Sequence, residues 1–405
     1  AAMIERRTKG DLIAATAIAT AVAVFIAMFW WHSSARATIS QPAVDVVGSP
    51  PAADAVPAAM QQRWATTSAR TPSPVVVSGT VVTGNGSTVT GLDPQTGRQR
   101  WVYARDTDLC GLSHVYELAV AVYPDSRGCG QVSGINAGTG GRGPARTSYA
   151  DNHVVVTSNG SAVLSAGATR LELWRSDLVR SLSYGEIDAR IKPVHQGIGT
   201  GCALMSSAAS EAAVSVLEVC RDQNDLRLTL LKPAKEDDEP DAKHVDLPGL
   251  AIDSEARVLA VAGTTTAVFL PTPRPEVVVY DDTGTEISST PLRSPPTLTE
   301  TAPAVTRAGD FITWWTGDSV LVFDNKLGYR YSIDATPALG PATMMAGLLL
   351  VPVTDGLAVV DPADGAVQRM IPITHPAGSG PVTPAVTGTM VIEQRGNAVA
   401  AYGPA

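Results

Sequence analysis

The sequence has no surplus of basic charge. Thirty Lys and Arg against 39 Asp and Glu leave a formal charge of −9, so the basic face that a sequence-independent grip on nucleic acid needs is missing. Common enzyme signatures are also missing: there is no G-x-S-x-G, P-loop, H-E-x-x-H or Rossmann glycine fingerprint between strand and helix. Aromatics are scarce, at 5%, while Gly and Pro number 36 and 29. That balance favours many short strands joined by tight turns and disfavours long helices. The four cysteines contain no C-x-x-C, and with six scattered histidines they offer no zinc-ligand spacing.

Long apolar runs are absent with one exception. From Leu12 to Trp31 no residue is charged, and about 20 residues of helix span about 30 Å, the thickness of a bilayer's hydrocarbon core. Arg6, Arg7 and Lys9 precede this run and Arg36 is the first cation after it, so residues 1–11 are expected in the cytoplasm and everything beyond the span outside. Phe29, Trp30 and Trp31 suit the outer headgroup region. A cleaved signal peptide is the alternative, because Ala35, Arg36 and Ala37 form an A-x-A-like site. The apolar run exceeds the usual h-region of roughly 7–15 residues, which favours a retained anchor at 12–31. Both readings export the remainder.

Residues 32–60, rich in Ala, Pro and Ser, read as a flexible or partly extended tether. From 61 to 405 short Val/Leu/Ile/Thr runs alternate with Gly, Asn, Asp and Pro, a strand-and-turn texture. Four strand-sized pieces fall between Pro74 and Trp101, and a similar order returns between Met344 and Ile373. Weaker copies occupy 117–141, 153–174, 202–220, 257–288 and 310–333, with Trp174 in the place of Trp101. Four strands every ~40 residues is the mark of a propeller blade. The last unit, 384–403, stops after three strands, and QQRWATT at 61–67 can supply the fourth and close the ring. The fold expected is all-β: a propeller of eight blades, alternatively seven, behind one transmembrane helix.

The pattern V-x-x-L-D-x-x-T-G-x-x-x-W, present as VTGLDPQTGRQRW at 89–101 and degenerate in VLVFDNKLGYRY and LAVVDPADGAVQ, resembles the repeat of PQQ-like propellers, including the outer-membrane assembly lipoprotein family. A propeller tethered by one helix behind an Ala/Pro-rich linker further resembles actinobacterial envelope proteins of polar growth that work beside the exporter of trehalose monomycolate. That resemblance implies binding of mycolate glycolipid and a membrane exporter as partner.

Cys110 with Cys129 and Cys202 with Cys220 are spaced for two strands of one hairpin or for a strand and its adjoining loop, and outside the membrane such pairs form disulfides. Catalysis of the PQQ type, which the resemblance would invoke, uses adjacent cysteines and a calcium held by carboxylates and an Asn. Neither signature is visible here, so no cofactor and no metal are expected. Glycine-rich GTGGRG at 138–143 and acidic KEDDEPDAK at 235–243 read as loops, and His114, His153 and His195 share no spacing. Two apolar pairs are candidates for ligand contact. Trp314 and Trp315 are adjacent on a strand and so must face opposite ways, and Met344 and Met345 can line an adaptable apolar surface. For each pair the competing reading is packing between blades. The function expected is that of a non-catalytic, membrane-anchored periplasmic binding or scaffold protein of envelope assembly. Its expected partners are the membrane, an envelope glycolipid and a lipid exporter. A PQQ-dependent or other periplasmic enzyme, or an extracellular ligand sensor, is the alternative.

Overall fold

The computed structural model describes residues 8–46, 48–188, 197–298, 303–334 and 337–405. Thr8 caps the helix Lys9–Trp31: its hydroxyl accepts from the Asp11 N–H, and the Asp11 carboxylate accepts from the Thr8 N–H. No residue of this helix is buried by the rest of the chain, and it is long and apolar enough to cross a membrane.

The strand-and-turn texture becomes eight antiparallel sheets, in each of which sequential strands are neighbours. Seven blades are continuous in sequence, at 75–104, 111–147, 155–185, 202–251, 257–291, 305–333 and 343–372. The eighth takes three strands from 382–404, and Met60–Thr67 pairs antiparallel with Ala398–Pro404 as its outermost. The chain is an eight-bladed β-propeller closed by its N-terminal strand, as the unfinished last repeat requires. Because each blade is covered on both faces, its inner strands are apolar at nearly every position, as in Arg257–Ala262 and Thr265–Leu270. The core is correspondingly divided into apolar clusters, each shared by two adjacent blades; Val89, Trp101, Leu112 and Tyr123, for example, fill the seam between blades 1 and 2.

One contact recurs from seam to seam. Trp101, on the fourth strand of blade 1, donates its indole N–H to the Ala137 carbonyl at 2.7 Å in the last turn of blade 2 and covers Gly140 there. Trp64 of blade 8 does the same to Pro94 and Gly97 of blade 1, at 2.9 Å, and Tyr331 of blade 6 to Pro362 and Gly365 of blade 7, at 2.7 Å. These glycines have φ of 72°, 69° and 77°, and a β-carbon on any of them would strike the ring. Elsewhere arginine serves instead. Arg146 of blade 2 donates to the Leu178 carbonyl of blade 3 at 2.7 Å, Arg180 of blade 3 grips Asp237 of blade 4 at 2.8 Å, and Arg369 of blade 7 reaches the Val56 carbonyl at 2.9 Å.

Three expectations are corrected. The Ala/Pro-rich segment is no free tether: Ile39–Gln41 adds a fifth strand to blade 1, and Ala43 N–H bonds the Thr139 carbonyl at 2.8 Å. Pro50 of the same segment wedges between Gly79 and Gly388, and Val56 is buried. The outer edge of blade 1 is an unpaired strand edge, which pairing covers, and prolines lie on a surface without needing N–H partners. Trp174 ends the third strand of its blade, Arg170–Trp174, so it is not the counterpart of Trp101 on a fourth strand. The acidic run 235–243 is partly strand, since Asp241–Ala251 starts inside it, and its Asp237 is held by Arg180.

Candidate functional site

The first strand of each blade is innermost, so its free edge faces the ring axis. Together these eight strands enclose a cavity of about 490 Å³. Its wall mixes hydroxyls, such as Thr157, Ser207, Thr306 and Thr383, with aliphatic side chains including Val76, Leu164, Val258 and Met344. Thr306 is fixed by its bonds to Thr313 at 2.7 Å and to the Ala342 carbonyl at 2.6 Å. His114 also faces the cavity, and burial lowers its imidazole below the ordinary value, so it stands neutral at pH 7. Among the described residues no carboxylate lines this wall. In the turns between first and second strands Asn159 donates to Glu211 at 3.1 Å, and between two neighbouring first strands Arg307 donates to the Val261 carbonyl at 3.0 Å. The arrangement supplies hydrogen-bond partners and apolar contact, and it sets no acid against His114.

The apolar pairs are distributed otherwise than a shared surface requires. Trp314 packs on Phe269 of blade 5, ring centroids 5.7 Å apart, and is 1% exposed. Trp315 points the opposite way into the seam with blade 7, donating to the Ala338 carbonyl at 2.8 Å, and is 8% exposed. Neither indole reaches solvent, because adjacent positions on a blade strand face two different neighbouring blades. Met345 is likewise in the core, whereas half-buried Met344 reaches the cavity. Thus one of the four candidate contacts lines the central site. His114, singled out only as a scattered histidine, joins it; no periodicity in the sequence marks which residue of a first strand faces the axis. His153 is exposed on a loop, and His195 lies outside the described residues.

Both disulfides are formed, Cys110–Cys129 inside blade 2 and Cys202–Cys220 between directly opposed residues of blade 4. The one group of metal-type donors found among the described residues, Cys202, Glu218 and Cys220, has both sulfurs committed to that bridge.

No protein-family model and no curated protein matches the chain. Solved structures do. The dihydro-heme d1 dehydrogenase NirN, in complex with DHE, is similar at TM-score 0.52 and 11% identity, over 85% of this chain and 79% of that one. Sqt1 of Saccharomyces cerevisiae is similar at TM-score 0.50 and 10% identity, over 87% and 99%. At such identities the likeness is one of fold, the propeller already described.

Proposed function

We propose that the chain is a non-catalytic, membrane-anchored binding protein of the cell envelope, with its N-terminus inside and its ring in the periplasm, and that the central cavity receives the headgroup of an amphiphilic glycolipid. The observation carrying this reading is the cavity itself: its volume of about 490 Å³ falls within the range of small-ligand sites, roughly 300–1,000 Å³. Fixed hydroxyls beside aliphatic side chains suit a sugar joined to an acyl chain. The anchor supports the same reading. Seven residues separate Trp31 from Ile39, where the chain joins the ring, a reach below about 30 Å even when extended. Such a ring stays within reach of lipid. Two disulfides suit an oxidising compartment. The resemblance to envelope proteins of polar growth makes trehalose monomycolate the first ligand to try and its exporter the first partner.

The test uses the full chain in nanodiscs, titrated with trehalose glycolipids and, separately, with PQQ plus calcium under a dye-reduction assay. Saturable glycolipid binding that weakens in Met344→Ala and Thr306→Val is the expected result. Quinone-dependent dye reduction would replace the binding reading with the enzymatic one, and protection of the ring from protease on spheroplasts would overturn the topology.

A further inference from the structure

A second cleft, of about 400 Å³, lies on the outer side of blades 1 and 2, at the opposite end of each sheet from the first strands that line the axis. One wall is Ser34, Ala35 and Thr38, the residues that leave the apolar helix; the other is the outer part of blades 1 and 2. Strand pairing sets Ile39 opposite Ala104, which brings this stretch beside Arg105. Arg105, Arg142 and Arg146 all line the cleft, and among the described residues no carboxylate does.

These guanidiniums are unequally committed. Arg146 is tied to Leu178 and lies 3.5 Å from Glu172. Arg105 lies over the Tyr123 ring at 5.2 Å, with Asp125 as its acidic neighbour; that carboxylate already accepts from Gln131 at 2.7 Å. Arg142 is exposed and makes no side-chain hydrogen bond or ion pair among the described residues. A chain with a net charge of −9 here lines one cleft with three guanidiniums, which attract an anion entering it. The Ser34 hydroxyl borders the same space as a donor suited to phosphate oxygens, while Thr147 donates to Gln131 at 3.3 Å and the Tyr103 hydroxyl is bonded to that of Ser133 at 3.1 Å. On the anchor reading above, on which this inference rests, Ser34 follows the span's last residue, Trp31, by three positions. Arg36 lies over the Trp31 ring at 3.6 Å. The cleft therefore opens at headgroup depth.

We infer that this cleft binds the phosphate of an anionic phospholipid headgroup in the outer leaflet and so fixes the orientation of the ring on the membrane. The chemistry recognised is a phosphate ester, and free phosphate is the other source of it. Arg142→Gln and the double variant Arg105→Gln/Arg142→Gln leave Arg146, which helps join blades 2 and 3, untouched.

The experiment compares the full chain and these variants in nanodiscs of phosphatidylcholine with and without phosphatidylglycerol, counting retained lipids by native mass spectrometry. A parallel arm titrates inorganic phosphate in neutral nanodiscs. At about 1 kcal/mol per arginine near the surface, phosphatidylglycerol affinity should fall about fivefold in the single variant and about thirtyfold in the double. Unfolding midpoints should remain those of the unsubstituted protein. Arginine-dependent binding of inorganic phosphate without phosphatidylglycerol retention would uphold the site and overturn the lipid source. Equal retention by all three proteins, with no arginine-dependent phosphate binding, would overturn the proposal. Should the anchor reading be what fails, alkaline carbonate would extract the unsubstituted protein from membranes, whatever the arginines do.

Discussion

At the seam from blade 1 to blade 2 an indole that is 1% exposed, Trp101, donates to a turn carbonyl and lies on a left-handed glycine. One seam further on, Arg146 donates to a turn carbonyl of blade 3 and meets the buried carboxylate of Glu172, which also takes Arg170 at 2.7 Å and Arg180 at 3.2 Å. The two seams perform one task by opposite means. The first gains from apolar burial and asks little of its surroundings except a missing β-carbon. The second depends on compensation: burial alone would raise the Glu172 carboxyl, and the guanidiniums of Arg170 and Arg146, with the Trp174 indole, overcome that and hold it below the usual carboxylate range. A ring can thus be closed by unlike seams, provided that each buries its own face.

The largest effect is expected from Trp101→Ala, which removes a buried ring and its hydrogen bond and should cost about 3–5 kcal/mol. Chemical denaturation at several pH values would show that loss to be the same throughout, since no ionisable group is involved. Glu172→Gln should come next, at about 3 kcal/mol at neutral pH, because it leaves three guanidiniums facing a neutral amide. Here the loss should depend on pH. A carboxyl with a depressed folded value contributes fully above its unfolded value, and the contribution disappears as pH falls through the folded one. The variant and the unsubstituted protein should therefore converge in acid; a constant gap across pH would remove the charge-compensation account of this seam.

Arg369→Ala tests an arginine seam with no buried acid. It loses bonds to the Val56 and Pro57 carbonyls, 2.9 and 3.1 Å long, and should cost about 1 kcal/mol. Limited proteolysis offers the sharper measurement, with faster cleavage expected within residues 42–59. The smallest effect concerns His375, whose ring bonds Glu393 at 2.8 Å and the Val353 carbonyl at 2.6 Å. Burial opposes its charge, but the hydrogen bond and charge of Glu393 outweigh burial and raise the imidazole value; burial raises Glu393 as well. Stability from this pair is complete below the ordinary imidazole value and is lost as pH rises through the raised one. Glu393→Gln should flatten stability between weakly acidic and weakly alkaline pH, and an unchanged slope would exclude the pair as its source.

The seam comparison also explains why some repeats can be read and others cannot. A ring laid on a left-handed glycine of the next blade requires a glycine and an aromatic in successive repeats, Trp64 on Gly97 and Trp101 on Gly140, so the unit 93–101, which carries one of each as D-x-x-T-G-x-x-x-W, stands out. An arginine reaches a carbonyl or carboxylate from several positions along a strand and imposes no spacing. Blades 2, 3 and 4, joined through Arg146 and Arg180, accordingly look degenerate, and Trp174, which lies in the seam between blades 2 and 3 with its indole donating to Glu172 at 2.9 Å, is open to being mistaken for a fourth-strand counterpart of Trp101.

The helix was legible from the length of its uncharged apolar run, and ring closure from counting, since a three-strand repeat leaves an edge that only another strand satisfies. The disulfides followed from spacing within one blade. Tertiary structure alone decided the rest. Trp314 and Trp315 are both buried because a blade has a neighbour on each face, which no property of the dipeptide reveals. Ile39–Gln41, Ala43, Pro50 and Val56 lie on the ring because an exposed strand edge and two glycine turns accept this segment. The cavity wall combines first strands that lie about 40 residues apart, and the outer cleft joins the end of the helix to two blades; neither set shares any periodicity, because what unites its members is distance in space.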